Sequence, residues 1–383
     1  MNAALYIHIP FCHRKCFYCD FYSEVAPEPQ YGDFVAALCA EMKMYASIMP
    51  WQEITFETIY IGGGTPSVLS DKQIATILNS AHTNFHFTEN LDITIEVNPE
   101  SIKFEKLKSY KALGINRISI GVQSFHDDEL KLLGRLHDAT AARQAVHEAR
   151  RAGFDDMSVD MIFGLPGQSL DVWRENLMSA IELDVQHLSM YGLTYEHGTK
   201  FDDWRRTGKI RAATDELERE MYLLAIETAE TYGFEHYEIS NFARPGFESR
   251  HNQKYWDGSP YLGLGPSAHS YWGVNRQWNV RSLNRYLKLI DQGKMPIDGA
   301  EQLDNSTQET EYIMLRLRTG RGIDLIDYQQ RFGYEFGTRY AAALRRLESQ
   351  LPALIKMNAN LIRLTRDGFL LYDDICGEFS VSD

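Results

Sequence analysis

The first half of the chain alternates short apolar runs with stretches of helical period. Residues 5–10, 58–63, 92–97, 117–122, 157–163 and 187–193 are mostly apolar throughout, as strands are when both faces of a parallel sheet are covered. Helices fit between them. Ser70-Asp-Lys-Gln73 has the form of a capping box, and Ile74, Ile77, Leu78 and Ala81 follow on one face. The spacing recurs at Leu170, Trp173, Leu177 and Ile181, and again at Leu217, Met221, Leu224 and Ala225, before Gly233 in the position of a helix C′ residue. Six β-α units in series predict an α/β fold with a parallel barrel or partial barrel. Period alone does not show closure, so a doubly wound open sheet stays open as an alternative.

After about residue 235 the rhythm breaks. Residues 236–241 read as one further strand, and 244–280 are rich in Gly, Trp, Tyr and Pro without a clear period. From Asp304 a new unit begins. Helical runs cover 306–318, 323–332 and 338–349, and strands at 361–364 and 369–371 flank Arg366-Asp-Gly368. Three helices and a hairpin predict a small winged-helix-like α+β module. The expected organisation is 1–234, a barrel; 235–303, a linking extension; and 304–383, the C-terminal module.

Charge narrows the partners. The 383 residues carry 53 Asp and Glu against 39 Lys and Arg, a formal net charge of -14, which repels nucleic acid and anionic lipid. A DNA-binding role for the last module finds no basic footprint, since 304–383 hold ten Lys and Arg and twelve Asp and Glu. No stretch approaches the ~18 apolar residues of a membrane helix. The N-terminus shows no basic region or cleavage site, so the expected location is cytoplasmic.

Three of the five cysteines fall within eight residues, in Cys12-His-Arg-Lys-Cys16-Phe-Tyr-Cys19, just past the first strand. In a long cytosolic chain such clustering reads as metal or redox chemistry. Thiolates suit iron–sulfur clusters and zinc. Three thiolates on a four-iron cluster leave one iron open to a small ligand. The basic His13-Arg14-Lys15 between them favours the thiolate form. A structural zinc would need a fourth ligand, with only His8 or His13 nearby. A thioredoxin-like pair would leave Cys12 idle, and c-type haem attachment would need histidine where Asp20 stands. Cys39 lies in an apolar helical run and reads as core; Cys376 is isolated.

Other polar groups recur at strand ends, where βα barrels build their sites. Gly62-Gly-Gly-Thr-Pro66 closes the second strand and lets a ligand approach backbone amides closely, though alone it reads equally as a tight turn. Glu96 falls near the end of strand three, Gln123 at the end of strand four and Asp160 within strand five. One such carboxylate is usually a salt-bridge partner. Polar residues on three successive strands point to one shared ligand, since each is costly to bury unpaired.

Together these motifs resemble the radical S-adenosylmethionine (SAM) superfamily. With Gly121-Val-Gln-Ser-Phe125, Arg135 and Asp160-Met-Ile-Phe-Gly-Leu-Pro166, the chain is similar to the coproporphyrinogen-dehydrogenase-like branch over essentially its whole length. The resemblance implies a partial (β/α)6 barrel with a 4Fe-4S cluster on Cys12, Cys16 and Cys19 at its mouth. It implies that Tyr6 and Tyr18 flank cluster and SAM, and that Gly63, Gly64 and Thr65 meet the amino and carboxylate end of SAM. Glu96, Gln123, Arg135 and Asp160 would contact its polar groups. Family chemistry would have the reduced cluster cleave SAM to methionine and a 5′-deoxyadenosyl radical, the protein supplying orientation and shelter from water.

Two features depart from the decarboxylating enzymes of that branch. Those carry a further cysteine two residues after the third ligand, where this chain has Phe21, and an N-terminal extension, where here Tyr6 is almost the first residue. His251-Asn-Gln-Lys-Tyr-Trp256 is similar instead to a mark of the haem chaperones in the branch. His251 could ligate haem iron with Tyr255 and Trp256 packed on the macrocycle; as bare residues they read as a structural loop around a hydrogen-bonded histidine. The expected function is therefore haem binding and transfer to an acceptor protein of unknown identity, with peripheral contact to membrane-bound acceptors. The alternative is a radical enzyme acting on a tetrapyrrole, like coproporphyrinogen III dehydrogenase.

Overall fold

A computed structural model describes residues 2–350 and 353–379. All six expected strands form: β1 (Asn2–Ile9), β2 (Thr55–Gly63), β3 (His86–Val97), β4 (Arg117–Gln123), β5 (Asp156–Phe163) and β6 (His187–Gly192). They pair in parallel in sequence order. Between them run α1 (Pro29–Tyr45), α2 (Asp71–Asn84), α3 (Phe104–Ala112), α4 (Asp127–Leu133), α5 (Ala139–Arg151) and α6 (Leu170–Glu182). Ser70 and Gln73 close the capping box of α2, whose Ile74, Ile77, Leu78 and Ala81 are buried. Trp173 of α6 donates its indole N–H to the Met221 carbonyl at 2.9 Å, joining α6 to the helix that contains Met221. This α/β architecture is the one the apolar runs predict: alternate residues of each strand face inward and helices cover the outside.

After α7 (Lys200–Arg206) and α8 (Asp215–Thr231), the latter followed by Gly233 at φ 83°, residues 236–241 depart from the single strand expected there. They fold as an antiparallel pair, β7 (Glu235–Glu238) and β8 (Asn241–Ala243), because the chain reverses at Ile239-Ser240 and β8 pairs antiparallel with β6. The stretch without period holds α9 (Arg250–Trp256), β9 (Tyr261–Leu264), β10 (His269–Trp272), β11 (Asn275–Asn279), α10 (Leu283–Asp291) and β12 (Ile297–Gln302). These strands continue the same sheet. Its order is β12-β11-β10-β9-β1-β2-β3-β4-β5-β6-β8-β7, with β9 parallel to β1 on the side away from β2.

The last segment contains α11 (Asn305–Leu317), β13 (Ile323–Asp324), α12 (Leu325–Phe332), α13 (Phe336–Arg339), α14 (Ala341–Gln350), β14 (Ile355–Met357), β15 (Leu361–Leu364), α15 (Arg366–Leu370) and α16 (Tyr372–Glu378). Its sheet runs β13-β15-β14. The hairpin therefore turns at residues 358–360 rather than at Arg366-Asp-Gly368. Thr365 caps α15 by accepting from the Gly368 N–H at 3.0 Å, so residues 366–370 coil instead of pairing.

Candidate functional site

The cysteine loop leaves β1 and is tied at both ends. Glu24 donates its N–H to the Pro10 carbonyl at 2.7 Å, and Cys12 donates to the Glu24 carbonyl at 3.1 Å. In the middle, Phe17 donates to the Leu133 carbonyl at 3.0 Å and accepts from the Phe201 N–H at 3.0 Å. Cys12, Cys16 and Cys19 are free thiols, each half-buried. Burial pushes the Cys12 thiol up and the Cys19 thiol up to about 11, so ligation to a metal would be needed to hold both as thiolates. His8 has no nitrogen to spare for zinc. Its Nε2 is 2.9 Å from the Tyr22 carbonyl oxygen, which only accepts, so Nδ1 accepts from the Tyr6 hydroxyl at 3.0 Å. Burial lowers this imidazole to about 4 and fixes it neutral. Among the described residues, no group of three His, Cys, Asp or Glu is gathered tightly enough for a single ion.

The glycine run lies directly against this loop. Gly64 donates to the Ile9 carbonyl at 2.8 Å and Thr65 to the Phe11 carbonyl at 2.7 Å. A Cβ on Gly64 would stand 2.6 Å from the Phe11 oxygen and 3.0 Å from Cys12 Sγ, so no larger residue fits there. Thr65 Oγ1 donates to Cys12 Sγ at 3.3 Å and accepts from Asn98 Nδ2 at 3.0 Å.

Asn98 is a residue that sequence reasoning missed. Its Oδ1 accepts from Arg135 Nη2 at 2.7 Å; the same nitrogen reaches the Gly121 carbonyl at 2.6 Å, and Nη1 lies 3.5 Å from Cys16 Sγ. A Cβ on Gly121 would meet Asn98 Oδ1 at 3.0 Å, Gln123 Nε2 at 3.1 Å and Arg135 Nη2 at 3.3 Å, which marks the point where these three side chains converge. Gln123 adopts φ 69°, a conformation costly for a residue with a side chain and most often kept at functional sites. Burial works against the Arg135 charge, but Tyr18, Cys16 and Glu100 around it raise its basicity overall. Arg135 Nε is buried with no acceptor among the described residues.

The acids stand on neighbouring strands. Glu96 accepts from the Tyr60 hydroxyl at 2.8 Å and the Gly63 N–H at 3.2 Å. Asp160 accepts from Ser119 Oγ at 2.9 Å and 3.2 Å. Burial, partly offset by Tyr60 and reinforced by the charge of Asp160, raises Glu96 to about 7. Burial raises Asp160 as well, against the hydroxyls of Ser119, Ser189 and Ser158. Two buried carboxyl groups on one barrel face favour a ligand with donors or positive charge. Tyr6 is beside this face, 6.3 Å from the Tyr60 ring. Tyr18 points instead toward Phe201, 6.4 Å away, near Arg135. Asn98 thus joins Thr65 to Arg135, Tyr60 and Gly63 hold Glu96, and Ser119 holds Asp160; Asn98, Tyr60 and Ser119 are additions to the residues named from sequence.

His251, Tyr255 and Trp256 lie on α9. His251 is 1% exposed. Its Nδ1 is 2.8 Å from Thr58 Oγ1 and its Nε2 is 2.9 Å from the Tyr255 hydroxyl. The ring also packs 4.9 Å from Tyr60. Burial lowers the imidazole to about 3. Both ring nitrogens are engaged within the fold, because α9 turns His251 toward β2. Tyr255 and Trp256 face a cleft toward the last segment.

The radical SAM superfamily matches residues 6–180, and the HemN C-terminal domain matches residues 303–371. The heme chaperone HemW of Bacillus subtilis is 34% identical over 98% of each chain. The heme chaperone HemW of Mycobacterium tuberculosis (strain ATCC 25618 / H37Rv) is 35% identical over 97% of this chain and 93% of its own. The mitochondrial radical S-adenosyl methionine domain-containing protein 1 of Danio rerio is 32% identical over 98% and 82%. The coproporphyrinogen III oxidase HemN of Escherichia coli, described as a radical SAM enzyme, superposes with a TM-score of 0.86 at 25% identity, covering 99% of this chain and 90% of that one. A radical SAM match over residues 6–180 that takes in the cysteine loop, the glycine turn and the acids of β3 and β5, together with relatives 34–35% identical over nearly the full chain, leads to one conclusion: this chain belongs to the HemW family of the radical SAM superfamily.

Proposed function

We propose that the chain is a haem chaperone, binding haem and passing it to an acceptor protein while carrying a 4Fe-4S cluster and SAM. Membership of the radical SAM superfamily implies the cluster and SAM, and the residues present fit both. Cys12, Cys16 and Cys19 offer three soft thiolates and leave one iron for SAM. Gly63, Gly64 and Thr65 present backbone edges, Arg135 has an unpaired buried N–H for a carboxylate, and Glu96 and Asp160 can accept from hydroxyl or ammonium groups. Gln123 stands beside Arg135, and Tyr6 and Tyr18 wall the site. When bound, the cluster supplies one-electron chemistry toward SAM.

The observation that carries the haem reading is the seat of α9. Through His251 its motif packs on Tyr60, the residue bonded to Glu96, while Tyr255 and Trp256 line a separate aromatic cleft. In this proposal Tyr255 and Trp256 touch haem and His251 positions them. Relatives named heme chaperone over nearly the full chain support it. The similarity to HemN keeps a tetrapyrrole-modifying enzyme as the second reading, against which Phe21 stands 70% exposed where such enzymes have another cysteine. Among the described residues no helix is long and apolar enough to cross a membrane. We place the chain in the cytoplasm, with acceptors that include membrane-bound ones reached peripherally.

The test is anaerobic reconstitution followed by two assays on one preparation. Hemin should bind with defined stoichiometry and leave for an apo-acceptor, while coproporphyrinogen III stays unconverted over many equivalents. Catalytic decarboxylation without hemin binding would reverse the assignment.

A further inference from the structure

Outside the cysteine site, the described residues form a cavity of about 380 Å³ between α9, strands β9 to β11 and the helices of the last segment, within the ~300–1,000 Å³ of small-molecule sites. Its walls are aromatic: Tyr255 and Trp256 from α9, Tyr261 and Tyr271 from β9 and β10, Tyr312 from α11 and Tyr372 from α16. Tyr255 meets Tyr261 edge to face at 4.8 Å, and Tyr261 lies 6.1 Å from Tyr271. Such walls suit a flat apolar ring.

The cations in the cleft are unequal. Arg276 is held by Glu301 at 3.0 Å and Glu311 at 2.6 Å, and Arg318 by Glu238 at 2.8 Å. Arg331, exposed at the end of α12, rests on the rings of Tyr312 at 5.4 Å and Phe332 at 5.8 Å and has no carboxylate partner among the described residues. In a chain with a net charge of -14, an unpaired guanidinium beside an aromatic cleft is placed to receive a carboxylate. Trp256 adds a second unsatisfied donor: its Nε1 is buried without an acceptor, a condition that a ligand's polar edge would relieve.

We propose that this cleft seats haem, with the macrocycle between Trp256 and the tyrosine walls and a propionate on Arg331. The inference rests on the haem-chaperone reading and adds the place of binding and the recognition of the acid groups. The cleft borders both the barrel, through α9, and the last segment, so an acceptor reaching it need not enter the cluster mouth.

Hemin and haem dimethyl ester are titrated into the reconstituted full chain, wild type and Arg331→Glu, Arg331→Gln and Trp256→Phe, following the Soret band. Lys72→Glu, at an exposed position of α2, serves as the control. Hemin affinity should fall about tenfold or more in Arg331→Glu, less in Arg331→Gln, and not in the control. The dimethyl ester, lacking carboxylates, should bind wild type and both Arg331 variants alike, which a merely structural role of Arg331 would not produce. Cluster content should be equal in all. Wild-type affinity for hemin in Arg331→Glu and Trp256→Phe overturns the cleft while leaving haem binding intact. Absence of hemin binding in wild type overturns the haem reading itself.

Discussion

His251→Ala separates two roles for the motif histidine. In the structure the ring satisfies Thr58 Oγ1 and the Tyr255 hydroxyl, both within the fold, and fills space beside Tyr60. Alanine leaves two hydroxyls without that partner, at ~1–3 kcal/mol each. It also opens a cavity that adds about 1–2 kcal/mol. A loss of about 3–8 kcal/mol is expected at pH 7, on the order of a 4–10 °C fall in melting temperature. The gap between wild type and variant should narrow in acid. The folded imidazole is held at about 3 by burial, whereas the unfolded one titrates near ~6.5. Below that unfolded value only the unfolded state takes the proton, so wild type loses up to ~1.4 kcal/mol per pH unit, and about 2 kcal/mol by pH 5. Alanine has no such term. Urea unfolding at pH 7 and pH 5 measures both quantities, and the Soret maximum of the hemin complex should not move. A variant with wild-type stability and a displaced Soret band would refute the positioning role and make His251 an iron ligand.

Gly64→Ala should abolish cluster retention, measured as iron and sulfide per chain, because the new Cβ would lie 2.6 Å from the Phe11 oxygen and 3.0 Å from Cys12 Sγ; full iron content would show that the turn can shift. Cys16→Ala should lose the cluster while Cys39→Ala, on α1, keeps it, by the same analysis. SAM affinity should rise with pH through about 7, where Glu96 ionises, and fall by about tenfold from pH 8 to pH 6 if the carboxylate accepts from the ligand. Calorimetric titration of Glu96→Gln should give weaker, pH-independent binding, and an unchanged profile would remove Glu96 from the site.

What could be read in the sequence was whatever left a periodic trace. The six barrel strands are apolar on both faces, so their runs stand out, and the Ser70–Gln73 box marks its helix directly. The strands after residue 235 are short, and some, such as β11 and β12, are polar. β11 reads Asn-Arg-Gln-Trp-Asn and exists because β10 and β12 pair with it. Gly368 looked like a turn signal, but it is glycine because a Cβ there would lie 2.2 Å from the Leu354 oxygen. At the site, Gln123 and Arg135 meet beside Gly121 and Glu96 meets the glycine turn, whereas Asn98 hid as an ordinary polar residue before a proline. Glu41 hid in another way. It sits on the apolar face of α1, with Gly265 N–H, Asn279 and Tyr286 all donating to it, and burial raises it to about 7. No local pattern announces partners more than two hundred residues away. For His251 the sequence could name the motif but not the face of α9 that carries it.

The parallel pairing of β1 with β9 has a consequence for how the molecule comes into being. Residues 4–7 of β1 find their second neighbour in residues 261–264, and Tyr22, at the end of the cysteine loop, accepts the Leu283 N–H at 2.7 Å. A ribosome extends the chain at ~5–20 residues per second, so the first strand emerges many seconds before the strand that covers it. During that interval β1 has an open edge of the kind that recruits foreign strands, with three thiols just beyond it. Loading of iron and sulfide should therefore come late, after β9 and α10 have closed the edge. Co-expressed chaperones that bind extended segments would raise the yield of the full chain more than extra iron would.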